Sequence, residues 1–213
     1  MENKKLILVG GGGHCKSVID VAESAGYIIK GILDLPENVG EKILGYPIIG
    51  TDEDISDFVH EVLFLVTVGQ IKDASLRINL HQKIVNAGGK LATVIAATAH
   101  VSKYAKIGEG TVVMHHAVVN ADTSIGRGCI INTFANIEHD AKIGDYCHIS
   151  TGAIVNGNCI VGSETFLGSQ SVMINGIEIT DGCVVGAGSL VRTNLMQKGV
   201  YYGNPATLKI KMQ

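Results

Sequence analysis

From Val101 to Val191 an aliphatic residue returns at every sixth position (Val101, Ile107, Val113, Val119 and onward) without a gap. Four places after each, as far as Val185, stands a small residue, as at Ala105, Thr111, Ala117, Cys129, Ala135 and Cys147, with Ile177 the one departure. A helix repeats at about 3.6 residues and a flat strand at 2, so neither produces a strict six. A β-solenoid does: the large and the small residue both point inward and stack on their counterparts in the next coil. The position after each aliphatic is often Gly (108, 126, 144, 162, 168, 186) or Asn (120, 132, 156). Both tolerate left-handed backbone, so these are expected to turn the corners.

The register accounts for four of the five cysteines. Cys129, Cys147, Cys159 and Cys183 occupy the small inward position, which makes them core thiols. Only Cys15 lies outside the repeat, and without a CxxC pair neither a disulfide framework nor a zinc ribbon is expected.

Residues 1–90 are built differently. "KLILVG" reads as a buried strand, 17–25 as a helix, "IIKGILD" and "EVLFLVTVG" as further strands, and 71–87 as a second helix ending at Gly88-Gly89. That order implies an α/β unit with a parallel sheet, Rossmann-like in its alternation. The glycine-rich "LVGGGGHCKSVID" follows the first strand and opens the first helix, where backbone N–H groups hold phosphate. Gly10 and Gly12 match a GxGxxG pattern whose third place is Cys15, so the dinucleotide fingerprint is incomplete. His14 follows the glycines at the mouth of such a site, and Asp34 ends the second strand, placed to accept from a ribose or sugar hydroxyl.

With 17 Lys+Arg against 20 Asp+Glu the net charge is −3, so no footprint for nucleic acid or an anionic membrane is present. The longest apolar runs, such as 62–68, fall short of the ~20 residues that span a bilayer. Lys4 and Lys5 precede too short an apolar stretch for a secretory signal, so cytoplasmic residence is expected.

The polar content concentrates in "ANIEHDAKIGDYCHIS", residues 135–150. Together with "VGGGGH", Asp34, "TVG" at 67–69 with Arg77 beyond it, "NTFANIEHDAKIGDYCHIS" and the closing "GVYYGNPA", it resembles a bacterial family. These are the sialic acid O-acetyltransferases and nucleotide-4-amino-sugar N-acetyltransferases of the hexapeptide-repeat class. The resemblance runs over nearly the whole chain and implies a left-handed parallel β-helix of triangular coils, three hexads to a coil, behind a Rossmann-like nucleotide-sugar domain. It implies acetyl-CoA as co-substrate, no metal, and a homotrimer with CoA in the groove between two solenoids. His139 is then the general base, facing the sugar held by the N-terminal domain, and Asp140 is the carboxylate that raises its basicity. His148, Gly157, Ser169 and Ala187 contact acetyl-CoA, while Gly13, His14, Cys15, Asp34, Gly69 and Asn132 bind the sugar nucleotide. The chain departs from the pattern at Cys15, Leu35 and Gln70, positions that bear on which sugar nucleotide is taken.

Inward Ile137 leaves Glu138, His139 and Asp140 on the corner and outer surface. An imidazole there can take the proton of an amine or hydroxyl attacking a thioester at neutral pH. Gly157, 18 residues after His139, stands one coil on, so its N–H is a candidate oxyanion donor. A zinc enzyme on the same solenoid would need three convergent histidines, two of them five apart, and His115, His116, His139 and His148 offer no such pair. His115 and His116 are expected at the surface or a trimer interface. The expected organisation is a nucleotide-sugar domain over 1–90, a connection over 91–100, the β-helix over 101–191 and a C-terminal cap over 192–213. One base serves N- and O-acetylation alike, so both acceptors stay open, and the rival from another class is a non-catalytic scaffold.

Overall fold

A computed structural model describes residues 4–212. The N-terminal part contains β1 (Lys5–Val9), α1 (Gly13–Ser24), β2 (Ile28–Leu33), β3 (Lys42–Ile43), β4 (Tyr46–Gly50), β5 (Leu63–Val66), α2 (Ser75–Asn86) and β6 (Lys90–Leu91). Its sheet runs in the order β3-β4-β2-β1-β5-β6, parallel except for the β3–β4 hairpin. Alternation along β1 feeds two cores. Leu6 and Leu8 pack with Val18, Ile19 and Ala22 of α1, whereas Ile7 and Val9 pack with Phe64, Leu80 and Ile84 on the other face. Both faces being covered, the strand reads as a continuous apolar run.

Helix α1 begins at Gly13, four residues before the expected start. Its buried stripe is Cys15, Val18, Ile19 and Ala22, the i, i+3, i+4, i+7 pattern. Cys15 is the first member of that stripe, which corrects its assignment as a ligand contact: the side chain has no exposed surface. Burial pushes its thiol up to about 11, as befits an inert core group. Helix α2 starts at Ser75 rather than 71, because Asp73 accepts from both the N–H (2.8 Å) and the hydroxyl (2.5 Å) of Ser75.

The segment expected to be a mere connection is structured. After β6 closes the first sheet, β7 (Val94–Ile95) pairs in parallel with Val112–Val113 of the solenoid. Stacking therefore begins one strand earlier than the aliphatic repeat alone suggested.

Two-residue strands then line three faces. Val118 pairs with Asn136 and Val119 with Ile137, so each strand rests on the one 18 residues further (136 − 118 = 18). The first face carries β7, Val112–Val113, Ile130–Ile131, His148–Ile149, Phe166–Leu167 and Val184–Val185, and is closed by the hairpin Gly199–Tyr202 and Thr207–Lys211. The second runs from His100–Val101 to Leu190–Val191 and the third from Lys106–Ile107 to Glu178–Ile179. The second residue of each pair forms the core: Ile131, Ile137, Ile149, Val155 and Leu167 have no exposed surface, nor do the small residues Ala135, Ala141, Cys147 and Ala153.

The corner chemistry differs from expectation. Left-handed backbone falls on the fourth residue of the hexad, at Phe134 (φ 59°), Asp140 (φ 62°), Tyr146 (φ 56°) and Asn158 (φ 58°) among others, not on the second. Glycine at the second place answers crowding instead. A Cβ on Gly108 would lie 2.5 Å from the backbone N of Arg127, and one on Gly144 2.6 Å from that of Ser163. The next coil passes too close for any side chain.

The first face alone presents a row of buried apolar side chains outward. Val94, Val112 and Ile130, with Met114, share one core with Leu6, Leu8 and Val18, and this row seats the N-terminal sheet and α1 on the solenoid. In a triangular coil the corner joining the second and third faces lies opposite the first. That corner therefore points away from the N-terminal part of its own chain.

Candidate active site

The corner between the second and third faces carries Glu138, His139 and Asp140. Asp140 is in the left-handed region, which Asp tolerates better than most residues, and this turns its carboxylate back onto its neighbour. Asp140 Oδ2 lies 2.7 Å from His139 Nδ1. The adjacent Glu138 is otherwise engaged: Asn120 Nδ2 donates to it at 2.7 Å and Asn136 Nδ2 at 2.9 Å. The two amides, one a coil earlier and one on the same strand, hold Glu138 off the imidazole and leave the pairing to Asp140. Its hydrogen bond with Asp140, reinforced by the charges of Asp140 and Glu138, raises the imidazole of His139 above its ordinary pKa.

Gly157 lies beneath the ring. A Cβ there would stand 2.8 Å from His139 Cε1 and 2.9 Å from Nε2, so the imidazole occupies the space a side chain would fill. The Gly157 carbonyl accepts from Gly176 N at 3.0 Å, while its N–H meets no acceptor among the described residues.

A second cluster forms where the loop after β5 meets the first face. His148 Nδ1 is 2.9 Å from the Gln70 carbonyl, and Nε2 is 3.1 Å from Asn132 Nδ2. Gln70 Nε2 donates to the Tyr146 carbonyl at 2.7 Å. The His14 ring stands 6.4 Å from that of His148, and a Cβ on Gly69 would touch His14 Cβ at 3.9 Å. Burial lowers His14 to about 4, with help from His148 and Arg77, and burial likewise lowers His148 to about 4. Both are neutral at pH 7, so His14 is a hydrogen-bonding group rather than a cation. Its buried Nε2 has no hydrogen-bond partner among the described residues.

Because α1 starts at Gly13, the glycine loop delivers Gly13 and His14 into the first helical turn, with free N–H groups at a helix N-terminus. A Cβ on Gly12 or Gly13 would meet nothing within 4 Å, so the packing of the chain does not demand glycine there. Asp34, from the end of β2, accepts from Asn38 Nδ2 at 2.8 Å. Asn38 and Lys16 line a hollow of about 340 Å³ with Gly11 and Asp34. Neither was singled out from the sequence, where no spacing links Asn38 to Asp34. A larger hollow, about 530 Å³ and lined by Lys4, Lys5, His60 and Lys90, opens at the opposite ends of β1 and β5, away from both clusters.

Ser169 and Ala187 stand on the corner after the first face, the same corner as Asn132, and Ser169 Oγ is 3.0 Å from Ser150 Oγ. His115 approaches Asp20 of α1 at 3.2 Å, and His116 stacks on exposed Phe134 at 5.0 Å. One chain thus brings together His139, Asp140 and Gly157 at one corner, and His14, Gly69, Asn132 and His148 around the first face. It does not unite the two groups. Among the described residues no set of three or more His, Cys, Asp or Glu is disposed to hold a metal ion, and no helix is long and apolar enough to cross a membrane.

A glycine-opened α/β domain seated on a β-helix, with a corner histidine paired to a carboxylate, defines a hexapeptide-repeat acyltransferase. Residues 5–84 match the PglD N-terminal domain, 122–157 the bacterial transferase hexapeptide of six repeats, and 159–192 the hexapeptide repeat of succinyl-transferase. A solved variant of perosamine N-acetyltransferase from Caulobacter crescentus, in complex with CoA and GDP-perosamine, is 32% identical over 96% of each chain with a TM-score of 0.88. The acetyltransferase domain of PglB from Neisseria gonorrhoeae, in complex with acetyl coenzyme A, is 31% identical over 97% of this chain and all of that one, with a TM-score of 0.90. The chain belongs to this family of nucleotide-amino-sugar N-acetyltransferases, with its PglD-type N-terminal domain and hexapeptide β-helix. An uncharacterized protein of Acanthamoeba polyphaga mimivirus is 34% identical over 119 residues, and the match spans only 23% of that protein's length.

Proposed function

We propose that the protein transfers the acetyl group of acetyl-CoA to the amine of a nucleotide-linked sugar, at a site shared between two copies of the chain. The observation that carries this reading is the His139–Asp140 pair poised over Gly157. With Nδ1 engaged by Asp140, Nε2 is the basic nitrogen. It takes the proton of the attacking amine as the C–N bond forms at the thioester carbonyl carbon. The Asp140 carboxylate stabilises the resulting imidazolium, which returns the proton to sulfur as the C–S bond breaks, giving the N-acetyl sugar and free CoA. The unpaired N–H of Gly157 is assigned to the developing oxyanion.

The sugar nucleotide sits on the N-terminal part, with phosphate at the N–H groups of Gly13 and His14, ribose at Asp34, and Gly69 and Asn132 towards the sugar. Acetyl-CoA runs along the first face past His148, Ser169 and Ala187. His148 offers it the ring, since both nitrogens are engaged by Gln70 and Asn132. The docking of the N-terminal part opposite the His139 corner supports assembly in a closed ring, in which one copy's His139 serves the sugar held by the next. A homotrimer, cytoplasmic residence and a role in surface glycan assembly complete the reading.

The test is complementation. His139→Ala alone loses turnover by roughly 10²–10⁴-fold while the fold and CoA binding are retained. When His139→Ala and His14→Ala chains are co-expressed in equal amounts, about a quarter of all sites in randomly assembled trimers, and about a third of those in trimers holding both variants, draw both histidines from intact copies, and activity returns accordingly. Mixed assemblies as inactive as either variant would remove the shared site. A monomer that turns over substrate in sedimentation would do the same, and full activity in His139→Ala would remove the general base.

A further inference from the structure

Two of the most exposed apolar side chains, Leu35 (58%) and Leu76 (59%), line one cavity of about 220 Å³ at the carboxyl ends of β1, β2 and β5. Val68 and Leu80 form its inner wall, and Asp34 and Asp52 bring the carboxylates. Exposed leucines on α2 and on the loop after β2 leave uncovered apolar surface on a space that can take a planar ring system. We propose that this cavity selects a guanine base, so that the acceptor is a guanosine-diphosphate sugar. The proposal rests on the nucleotide-sugar reading above and narrows it to one base.

The carboxylates divide the work. Asp34 is drawn to the glycine loop: its Oδ2 accepts from Asn38, and a Cβ on Gly11 would lie 2.9 Å from its Cγ. That leaves it to the ribose. Asp52 begins a short 3₁₀ helix, Asp52–Asp57, held in place where Asp54 accepts from the Thr51 N–H at 2.7 Å and where Asp34 N donates to the Gly50 carbonyl at 3.0 Å. Lys83 Nζ donates to Asp52 Oδ2 at 2.9 Å and to Glu53 at 2.6 Å, which fixes the carboxylate and leaves Oδ1 and the second lone pair of Oδ2 to accept.

Base edges differ in what they offer such a group. Guanine presents N1–H and a 2-amino group side by side, two donors to the two oxygens of one carboxylate. Uracil and thymine present one N–H flanked by two carbonyl oxygens, which a carboxylate repels. Adenine presents one amino group beside an acceptor nitrogen. Apolar walls favour a ring of any kind, and Asp52 decides which.

Calorimetric titration of the full chain without acetyl-CoA tests this, using GDP, IDP, UDP and dTDP. GDP is expected to bind at least about tenfold tighter than UDP or dTDP, and several-fold tighter than IDP, which lacks only the 2-amino group. Asp52→Asn should bring GDP down to the level of UDP and leave UDP unchanged. A pyrimidine nucleotide binding as tightly as GDP, IDP equal to GDP, or a guanine preference that survives Asp52→Asn would each overturn the proposal while leaving the acetyltransferase reading intact. Should none of the four bind, the nucleotide-sugar reading itself falls. The GDP–IDP comparison needs no variant, so misfolding of Asp52→Asn cannot shelter the proposal.

Discussion

Acidification should loosen this protein through three buried imidazoles at the junction of its two parts. His14 and His148 face each other, and His81 on α2 lies edge-on to Tyr146 at 5.4 Å, with its ring against Gly110 and Gly128. Arg77, one helical turn before His81, is 2% exposed and has no carboxylate partner among the described residues, so a fixed cation sits among them. Burial lowers it only to about 10, and it stays charged. Burial is the leading cause that lowers all three histidines from 6.5 to about 4, with Arg77 adding to each.

The sign follows directly. Between pH 6.5 and about 4 the unfolded chain takes up protons that the folded chain refuses, so stability is full above the upper limit and falls as pH drops through that window. At about 1.4 kcal/mol per pH unit each histidine withdraws about 3 kcal/mol, and the three together up to about 10 kcal/mol. That is comparable to the whole stability of many domains. Raised His139 acts in the opposite sense, but it is on the surface. Urea unfolding followed by circular dichroism from pH 8 to 4.5, at fixed protein concentration, measures the slope; the chain has no tryptophan to follow. The steepest slope should approach about 4 kcal/mol per pH unit, and His81→Phe, which keeps the contact with Tyr146, should remove about a third of it. Stability that stays flat from pH 7.5 to 5, or an acid limb unchanged in His81→Phe, would refute the reasoning.

Other consequences are quicker to check. Asp140→Asn weakens the hydrogen bond and removes the charge that together raise His139, so the acid limb of the kcat/KM profile should move to lower pH while the maximum rate falls; an unmoved limb would separate Asp140 from the base. Gly157→Ala places a methyl 2.9 Å from His139 Nε2 and should cost about 10²-fold in turnover with little loss of melting temperature, and unchanged turnover would show the ring position to be immaterial. Gly144→Ala drives a Cβ to 2.6 Å from the Ser163 backbone and should cost about 1–3 kcal/mol, read as a lower melting temperature with the active corner untouched. A melting curve like the parent's would contradict the crowding argument.

Inward and outward were legible at nearly every position of the solenoid, because a coil can stack on its copy only if like residues meet like residues. Ile137, Ala141 and Cys147 are buried, and His139 and Asp140 are exposed, as that register requires. Local spacing did less well at the corners, since a glycine kept for closeness and a glycine kept for left-handed backbone look alike in a sequence. Cys15 was misread for a related reason: the spacing Cys15, Val18, Ile19, Ala22 marks it as helix core, but the glycine run before it reads as loop.

By itself the sequence determined a β-helix, its register, the α/β unit ahead of it and the residue types at the His139 corner. All follow from short-range periodicity or contiguous motifs. Tertiary structure alone decided which face the N-terminal part covers. The six-residue period makes the three faces equivalent, and only the buried outward row Val94, Val112 and Ile130, meeting Leu6 and Val18 from the far end of the chain, breaks that equivalence. With that face chosen, His14 and His139 are held on opposite sides of a rigid coil, because a packed core of stacked aliphatics cannot twist to bring them together.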